Sequence, residues 1–324
     1  MTPARQIEPG TIFYATSRCV NRSFRLAPKG HVREAIRYCL ARTLQKYRDK
    51  EKIELYEFEF MSNHYHLLGR DLTGCVSEFL RDFNSLLSKH LNALRGLRGD
   101  NFQEEPGIVR LVGDGRVVEQ AVYTLANPIS AFLVAKARHW RGVSSRDMEY
   151  GVPVKIEKPK NGLWAGKVNH ARRRASKRSG RAAYAGRSKL PEVAELVLDR
   201  PPIMPDLCDE QLRALIRSKL EKREEEVAQE RQRRRIKVVG WRRVESTYYL
   251  AIPRHEEMFA RKPTFAASTI VERVELAKIR RAFLKAYAIA RDAFAAGQRD
   301  VVFPEGTYLM RVRFNVRCGP YAVP

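Results

Sequence analysis

The stretch Met61-Ser62-Asn63-His64-Tyr65-His66-Leu67-Leu68-Gly69-Arg70 decides how the chain is interpreted, because it holds two histidines one residue apart. The segment before it, 54–60, alternates polar and apolar residues with the period of two that is typical of a β-strand. If 64–68 forms the next strand, His64 and His66 project from one face and Tyr65 from the other. Two imidazoles so placed can share a divalent cation if another element supplies a third ligand. Alone, such a pair is more often a polar strand face than a metal site.

The segments on either side predict an α+β fold. Residues 11–20 are rich in β-branched and aromatic side chains, which favour a strand. Apolar residues recur every three or four positions in 31–50 and 75–94, which predicts two amphipathic helices, and 108–112 is a short strand pattern. The resulting order β-α-β-β-α-β is ferredoxin-like. We expect the first and third strands to be central in an antiparallel sheet with both helices on one face.

A third helix is expected over 117–133, and it carries Tyr123 and Asn127 one turn apart. Side chains four residues apart share a helix face. Pro128 follows directly and removes a backbone donor, so we expect a kink or break at this point. Without further context, Tyr123 is an ordinary tyrosine of an amphipathic helix and Asn127 a cap before a proline.

Together with His64 and His66, Tyr123 and Asn127 could act on a phosphate. A divalent cation held by His64, His66 and an oxygen such as that of Asn127 can stabilise charge developing on a phosphate. The phenol of Tyr123 can then attack phosphorus and form a phosphotyrosine. Because a phenol has a pKa of about 10, the cation or a base must favour the phenolate. Mg²⁺ or Mn²⁺ suits such a nitrogen and oxygen site, and zinc suits it less because no cysteine lies beside the pair.

The charge balance indicates a polyanionic partner. The chain of 324 residues has a formal net charge of +24, from 61 lysines and arginines against 37 aspartates and glutamates. Such an excess attracts nucleic acid, with an anionic membrane surface as the competitor. We find neither an apolar run long enough to span a membrane nor a signal-peptide core, and therefore expect a cytoplasmic protein. The 5 cysteines are dispersed, which argues against a disulfide framework and a structural zinc site.

These motifs resemble those of a known family. The order of elements, the stretch 61–68 and the segment Tyr123-Thr124-Leu125-Ala126-Asn127-Pro128 are similar to the REP-associated tyrosine transposases, single-tyrosine members of the HUH (His-hydrophobe-His) single-strand DNA endonucleases. The resemblance covers residues 11–151. Further matches are Ser17-Arg18, Asn21-Arg22, Phe102-Gln103, and the set Trp140, Ser144, Ser145 and Tyr150. Two departures are Glu104-Glu105, where the family usually has a basic residue, and Leu125-Ala126-Asn127-Pro128 in place of Leu-Asn-Pro.

The resemblance implies a metal-dependent endonuclease and strand transferase acting on single-stranded DNA. Tyr123 would be the nucleophile, and His64, His66 and Asn127 would bind Mg²⁺ or Mn²⁺. Tyr123 would retain the 5′ phosphate and release a 3′ hydroxyl, and a later 3′ hydroxyl would reverse the step. The substrate would be a DNA hairpin with a single-stranded flank. Both a monomer and a homodimer are compatible with the sequence.

Three units are expected along the chain: the HUH domain at 1–151, a basic linker or arm at 152–205, and a mainly helical accessory DNA-binding domain at 206–324. The arm is indicated by twelve basic residues and one acid between Lys155 and Lys189. A solvated surface loop is the alternative. In the last unit we predict helices over 209–235 and 269–296 and a strand over 308–314. The residues that we expect to contact DNA are Arg18, Arg22, Arg172, Arg173, Arg174, Lys177, Arg178, Arg242 and Arg243.

Two other functions stay open at this point. The chain could be a catalytically idle DNA-hairpin-binding protein derived from such an enzyme. It could also be a basic RNA-binding protein, although the aromatic-rich sheet motif of RNA-recognition domains is absent from the sequence. The joint presence of His64, His66, Tyr123 and Asn127 favours the enzyme, because a binding protein has no need of all four.

Overall fold

The computed structural model describes residues 4–103, 105–161, 190–253 and 263–323, which form an α+β fold. The strands are β1 (Thr11–Arg18), β2 (Ile53–Phe60), β3 (His64–Asp71), β4 (Gly107–Val112), β5 (Val154–Glu157), β6 (Val193–Leu196), β7 (Phe265–Ala267), β8 (Val302–Pro304) and β9 (Arg317–Gly319). The α-helices are α1 (Gly30–Arg48), α2 (Val76–Arg95), α3 (Asp114–Ser130), α4 (Asp209–Arg233), α5 (Trp241–Ser246), α6 (Ile270–Ala295) and α7 (Leu309–Phe314). Short 3-10 turns occupy Val20–Arg22 and Ala137–His139.

The main sheet has five strands in the order β2-β3-β1-β4-β7. Its first four strands pair antiparallel, and β7 adds to β4 in parallel, which makes the sheet mixed. The predicted α+β class is confirmed, and β1 and β3 are neighbours inside the sheet as expected. The strand β7 is an addition that the predicted ferredoxin-like arrangement lacks. Its three residues are too few to show a periodic pattern in the sequence.

The two faces of the sheet are covered by different helices. Tyr65 of β3 packs against Phe83 of α2, with ring centroids 5.3 Å apart, and α1 packs beside α2 on this face. His66 of the same strand lies on the other face, where its ring centroid is 6.1 Å from that of Tyr123 on α3. The alternation predicted for the histidine strand therefore places both histidines on the α3 face.

The helix that carries Tyr123 begins three residues earlier than expected and continues through Pro128 to Ser130. Of the predicted kink or break at the proline, a break does not occur. A proline inside a helix removes one hydrogen bond, and another donor can take its place at the carbonyl four residues earlier. Here that donor is the side-chain amide of Asn127, which donates to the carbonyl of Thr124.

Residues on the two sides of each predicted unit boundary, 151/152 and 205/206, are in contact. These contacts do not test the division into three units, which stays a prediction. The strands β5 and β6 lie at the two ends of the expected linker, pair antiparallel and pack against α1. The helix α4 packs on α3, and its Leu212, Ile216 and Leu220 belong to the same hydrophobic core as the sheet. Residues 162–189, which hold most of the basic arm, lie outside the described residues.

The segment 308–314 forms the helix α7, so its predicted strand is wrong. Met310 and Phe314 lie four residues apart and both turn toward neighbouring aromatic residues: Met310 is buried with Phe303 of β8, and the Phe314 ring centroid is 5.6 Å from that of Phe294 on α6. The short pattern of 308–314 fits both a strand and a helix, and tertiary packing favours the helix. In the described ranges, no helix has the length and apolarity needed to cross a membrane.

Candidate active site on the α3 face of the sheet

Side chains from three elements meet on the α3 face in what we call the His–Tyr cluster. Its members are Tyr14 of β1, His64 and His66 of β3, and Tyr123 and Asn127 of α3. Ring centroids are 4.7 Å apart for His64 and His66 and 6.1 Å apart for His66 and Tyr123. The structure thus brings together the predicted nucleophile and metal ligands within one chain, and it adds Tyr14, whose ring lies 6.0 Å from that of Tyr123.

The neighbouring residue Asn63 orients the imidazole of His64. Its amide nitrogen donates to the backbone carbonyl of Arg22 at 3.1 Å, which leaves its amide oxygen 2.6 Å from Nδ1 of His64. An amide oxygen only accepts hydrogen bonds, so Nδ1 of His64 carries the proton and donates. The other ring nitrogen, Nε2, therefore keeps its lone pair for a ligand.

His66 is oriented in a similar way by Tyr14. Its Nδ1 is hydrogen-bonded to the Tyr14 hydroxyl, and the two rings are stacked with centroids 5.6 Å apart. Its Nε2 is buried without a hydrogen-bond partner of good geometry. Histidines that bind metals commonly use one nitrogen for the metal and the other for such an orienting partner. Both imidazoles of the cluster fit this pattern.

The orientation of Asn127 follows from the proline beside it. Pro128 has no N–H, so the carbonyl of Thr124, four residues earlier, loses its helical donor. The Asn127 amide nitrogen donates to this carbonyl at 3.2 Å and to that of Tyr123 at 2.8 Å. Both bonds use the nitrogen, which leaves the amide oxygen free to face His66. The Asn127 side chain lies close enough to His66 to act on the pKa of its imidazole, in the upward direction.

Both imidazoles are held in the neutral form that a metal ligand requires. Burial lowers the pKa of His64 to about 3, and the charge of Arg18 adds to this effect. Burial also lowers the pKa of His66 well below its ordinary value, with smaller contributions from His64 and Arg18 in the same direction. Arg18 pairs directly with His64 in the β1–β3 register.

A divalent cation shared by His64 and His66 needs a third protein donor, and α3 offers one oxygen. Glu59 lies opposite His66 in the β2–β3 register, but its Oε2 accepts from Ser144 at 2.7 Å, and burial raises the pKa of this carboxyl well above its usual range. In the part of the chain that the structure describes, no three His, Cys, Asp or Glu side chains are arranged to share a metal ion. The third protein donor would therefore be the amide oxygen of Asn127.

Tyr123 combines exposure with a buried phenolic neighbour. Its side chain is 52% exposed, so it is accessible from solvent. The hydroxyl of Tyr14 lies within hydrogen-bonding reach of the Tyr123 hydroxyl. Burial raises the pKa of Tyr14 well above its ordinary value, with Tyr123 as the next cause, so Tyr14 keeps its proton. Tyr14 can therefore accept from Nδ1 of His66 and donate to the oxygen of Tyr123 at the same time.

The residues predicted to contact DNA are distributed over several places, and their role stays a prediction. Arg18 lies beside the cluster, and the carbonyl of Arg22 positions Asn63. Arg242 and Arg243 are exposed on α5. The remaining five lie in 162–189, outside the described residues: Arg172, Arg173, Arg174, Lys177 and Arg178.

A buried ion pair that no pattern in the sequence indicates joins Arg213 to Glu57. Together with Ser145 and Tyr150, these residues form what we call the Glu57 anchor. Arg213 of α4 is paired with Glu57 of β2, and both side chains are almost fully buried. Tyr150 donates to the same carboxylate at 3.2 Å, and Ser145 donates to its other oxygen. Arg213 also donates to the backbone carbonyl of Ser145 at 3.1 Å. This anchor attaches α4 to the sheet and explains two positions of the Trp140–Tyr150 motif.

A cleft of about 1170 Å³ lies elsewhere in the described structure. It is lined by Phe13 of β1 and by Asn84 of α2, and successive strand residues point to opposite faces. Since Tyr14 belongs to the His–Tyr cluster, the cleft beside Phe13 lies on the α2 side of the sheet. It contains none of the proposed catalytic groups.

No known family model matches the chain, and no curated protein matches it. Among solved structures, one of a REP-associated tyrosine transposase bound to a REP hairpin is similar over 45% of this chain and 82% of that chain, with 16% sequence identity and a TM-score of 0.36. A likeness this distant shows neither the family nor the activity of this chain.

Proposed function

We propose that the protein is a metal-dependent endonuclease and strand transferase that acts on single-stranded DNA through Tyr123. The observation that carries this proposal is the meeting of a half-exposed tyrosine with two neutral, pre-oriented imidazoles in one chain. A Mg²⁺ or Mn²⁺ ion bound by His64, His66 and Asn127 would supply stabilisation of the negative charge that develops on the phosphate. The net charge of +24 suits a polyanionic substrate.

The proposed reaction exchanges one phosphodiester bond for another. The oxygen of Tyr123 attacks phosphorus, the bond from phosphorus to the 3′ oxygen breaks, and the 5′ phosphate stays on the tyrosine. The phenol proton leaves to solvent, and the departing 3′ oxygen takes up a proton to become a hydroxyl. A 3′ hydroxyl can later attack the phosphotyrosine and restore a phosphodiester, so rejoining needs no external energy source.

Tyr14 would support this step as a positioning residue. Because it keeps its proton, its hydroxyl can donate to the Tyr123 oxygen as negative charge appears there. Its hydrogen bond with His66 fixes where this donor points. Hydrogen bonds to charged groups contribute about 1.5–3 kcal/mol, enough to matter for a phenol that must react near neutral pH.

The substrate class is proposed more narrowly from the family resemblance of the motifs. We propose a DNA hairpin flanked by a single-stranded segment that contains the cut. The exposed position of Tyr123 agrees with an accessible single strand as the part that reacts. The hairpin stem would be bound by phosphate contacts from basic residues, which are independent of sequence.

The direct test is to trap the covalent intermediate. Hairpin DNA labelled separately on each side of the expected cut is incubated with the full chain and Mg²⁺ or Mn²⁺, and the products are separated on denaturing gels. We expect an adduct that carries the 5′-phosphate side and disappears on chelation. If the protein binds hairpins tightly but never forms an adduct, the catalytically idle DNA-hairpin-binding protein becomes the better description.

A further inference from the structure

Tyr123 opens onto a groove between α3 and α4, which we call the α3–α4 groove. Its volume is about 340 Å³. Small and apolar side chains of α3 line one side, among them Val122 and Ala126, and basic side chains of α4 line the other. The groove therefore extends from Tyr123, the proposed nucleophile, along a basic wall formed by α4.

The basic wall consists of Lys219, Lys222 and Arg223, which recur at the three- and four-residue spacing of one helix face. Arg223 is paired with Glu226 at 3.0 Å. Among the described residues, no carboxylate forms an ion pair with Lys219 or Lys222, and both are exposed. The other acid of the groove, Glu119, is paired with Arg116 at 3.1 Å. Two lysine charges thus remain available beside Tyr123.

The position of this wall is fixed by the packing of α4. Arg213, six residues before Lys219, is held by the Glu57 anchor, and Leu220 is buried in the main core. Lysine side chains on a helix so attached need no large rearrangement of the backbone to meet a ligand. Ammonium groups on flexible stems bind phosphates as point charges and carry no sequence information.

We infer that the α3–α4 groove binds the backbone phosphates of the single strand next to the phosphate that Tyr123 attacks, with Lys219 and Lys222 as the contacts. The identity of the strand rests on the proposed function, whereas the groove itself rests on the contacts above. The small side chains of Val122 and Ala126 leave room for the sugar–phosphate backbone to pass. The groove would thus position the strand without selecting its sequence.

The test measures binding in the absence of chemistry. In the full-length Tyr123→Phe background, the affinity for a labelled single strand of mixed sequence is measured at several salt concentrations. Loss of two phosphate contacts should reduce the slope of log K against log salt by about 1.4 and weaken binding roughly tenfold to thirtyfold at 0.1 M salt. The variant is Lys219→Ala/Lys222→Ala, and Lys219→Arg/Lys222→Arg should restore the slope.

A matched control removes the same charge elsewhere. Lys278 and Lys285 are exposed on α6 and do not line the groove, so Lys278→Ala/Lys285→Ala should leave the slope unchanged. Acetylation of surface amines should slow on DNA binding at Lys219 and Lys222, and less at the control pair. Equal losses in both double variants, or no protection at Lys219 and Lys222, would overturn the inference.

The two proposals fail in different ways. If no hairpin yields an adduct with the unaltered chain, but the groove variants still lose salt dependence, the chemistry is wrong and the groove stands as a DNA-binding surface. If the adduct forms and Lys219→Ala/Lys222→Ala neither binds more weakly nor reacts more slowly, the groove inference alone is wrong.

Discussion

The His–Tyr cluster and the Glu57 anchor lie on the same face of the sheet, yet their polar atoms have opposite arrangements. In the anchor, one oxygen of Glu57 accepts from Arg213 and Tyr150 and the other accepts from Ser145. In the cluster, Nε2 of His66 is buried without a hydrogen-bond partner of good geometry, and Tyr123 is half exposed. The polar atoms of Glu57 thus find all their partners within the protein, whereas the cluster has polar atoms without such partners.

Because of this difference, we expect the anchor to contribute to folding stability and the cluster to bind a ligand. A buried polar atom without a partner costs free energy, and the cost is recovered only when a ligand supplies the missing interaction. The carboxylate of Glu57 has its interactions at all times and holds α4 in place. The cluster keeps unused lone pairs on two imidazoles and an amide. Removing a residue from the anchor should therefore lower the free energy of unfolding, and removing one from the cluster should lower the activity.

The largest effect is expected for Tyr123→Phe. Loss of the nucleophile should reduce adduct formation by roughly 10⁴-fold or more, as for other covalent catalysts. The free energy of unfolding should change by less than about 0.5 kcal/mol because the side chain is 52% exposed. Tyr248, which is 59% exposed, is the matched control, and Tyr248→Phe should form the adduct normally. Cleavage that survives in Tyr123→Phe would show that another group attacks.

Arg213→Leu should lower the free energy of unfolding by about 3–5 kcal/mol, because it leaves the buried carboxylate of Glu57 without its counter-charge. Denaturant titration measures this loss. On the same helix, Arg217 pairs with Glu149 at 2.5 Å with both side chains 49% exposed, so Arg217→Leu should cost at most about 1 kcal/mol. Equal losses for the two variants would mean that the Glu57 anchor has no special role.

Tyr14→Phe should slow adduct formation about 10- to 100-fold while leaving DNA affinity unchanged. The substitution removes the donor to Tyr123 and the partner of His66, and a hydrogen bond to a charged group is worth about 1.5–3 kcal/mol. Single-turnover kinetics separates this effect on the chemical step from binding. An unchanged rate would remove Tyr14 from the mechanism.

The smallest effect concerns pH. Only the neutral imidazole binds a metal, and burial lowers the pKa of His64 to about 3 and that of His66 well below its ordinary value. Protonation should therefore not compete between pH 7.5 and pH 5, and the Mn²⁺ affinity should change by less than about twofold. Calorimetry can measure it, with His64→Ala as the variant that loses binding. A steep loss of affinity below pH 6.5 would mean that the imidazoles are not shielded from solvent.

Local patterns in the sequence predicted the parts of the site that depend on local structure. Strand alternation placed His64 and His66 on one face, and helical spacing placed Tyr123 and Asn127 one turn apart. Tyr14 was missed because an ordinary strand tyrosine gains its role only through the β1–β3 register. Arg213 was missed because it lies 156 residues from Glu57 within a highly charged helix, where a buried arginine has no distinguishing pattern. Contacts between distant segments are set by packing, which one sequence does not display.

Pro128 weakens the helix α3 but helps to orient the side chain of Asn127. An alanine at this position would restore the backbone N–H and make α3 a better helix by ordinary propensity. It would also satisfy the carbonyl of Thr124, and the amide of Asn127 would then lose one of the two bonds that fix its orientation. A substitution that strengthens the helix would loosen the Asn127 side chain, so a search for thermostable variants should leave this proline untouched.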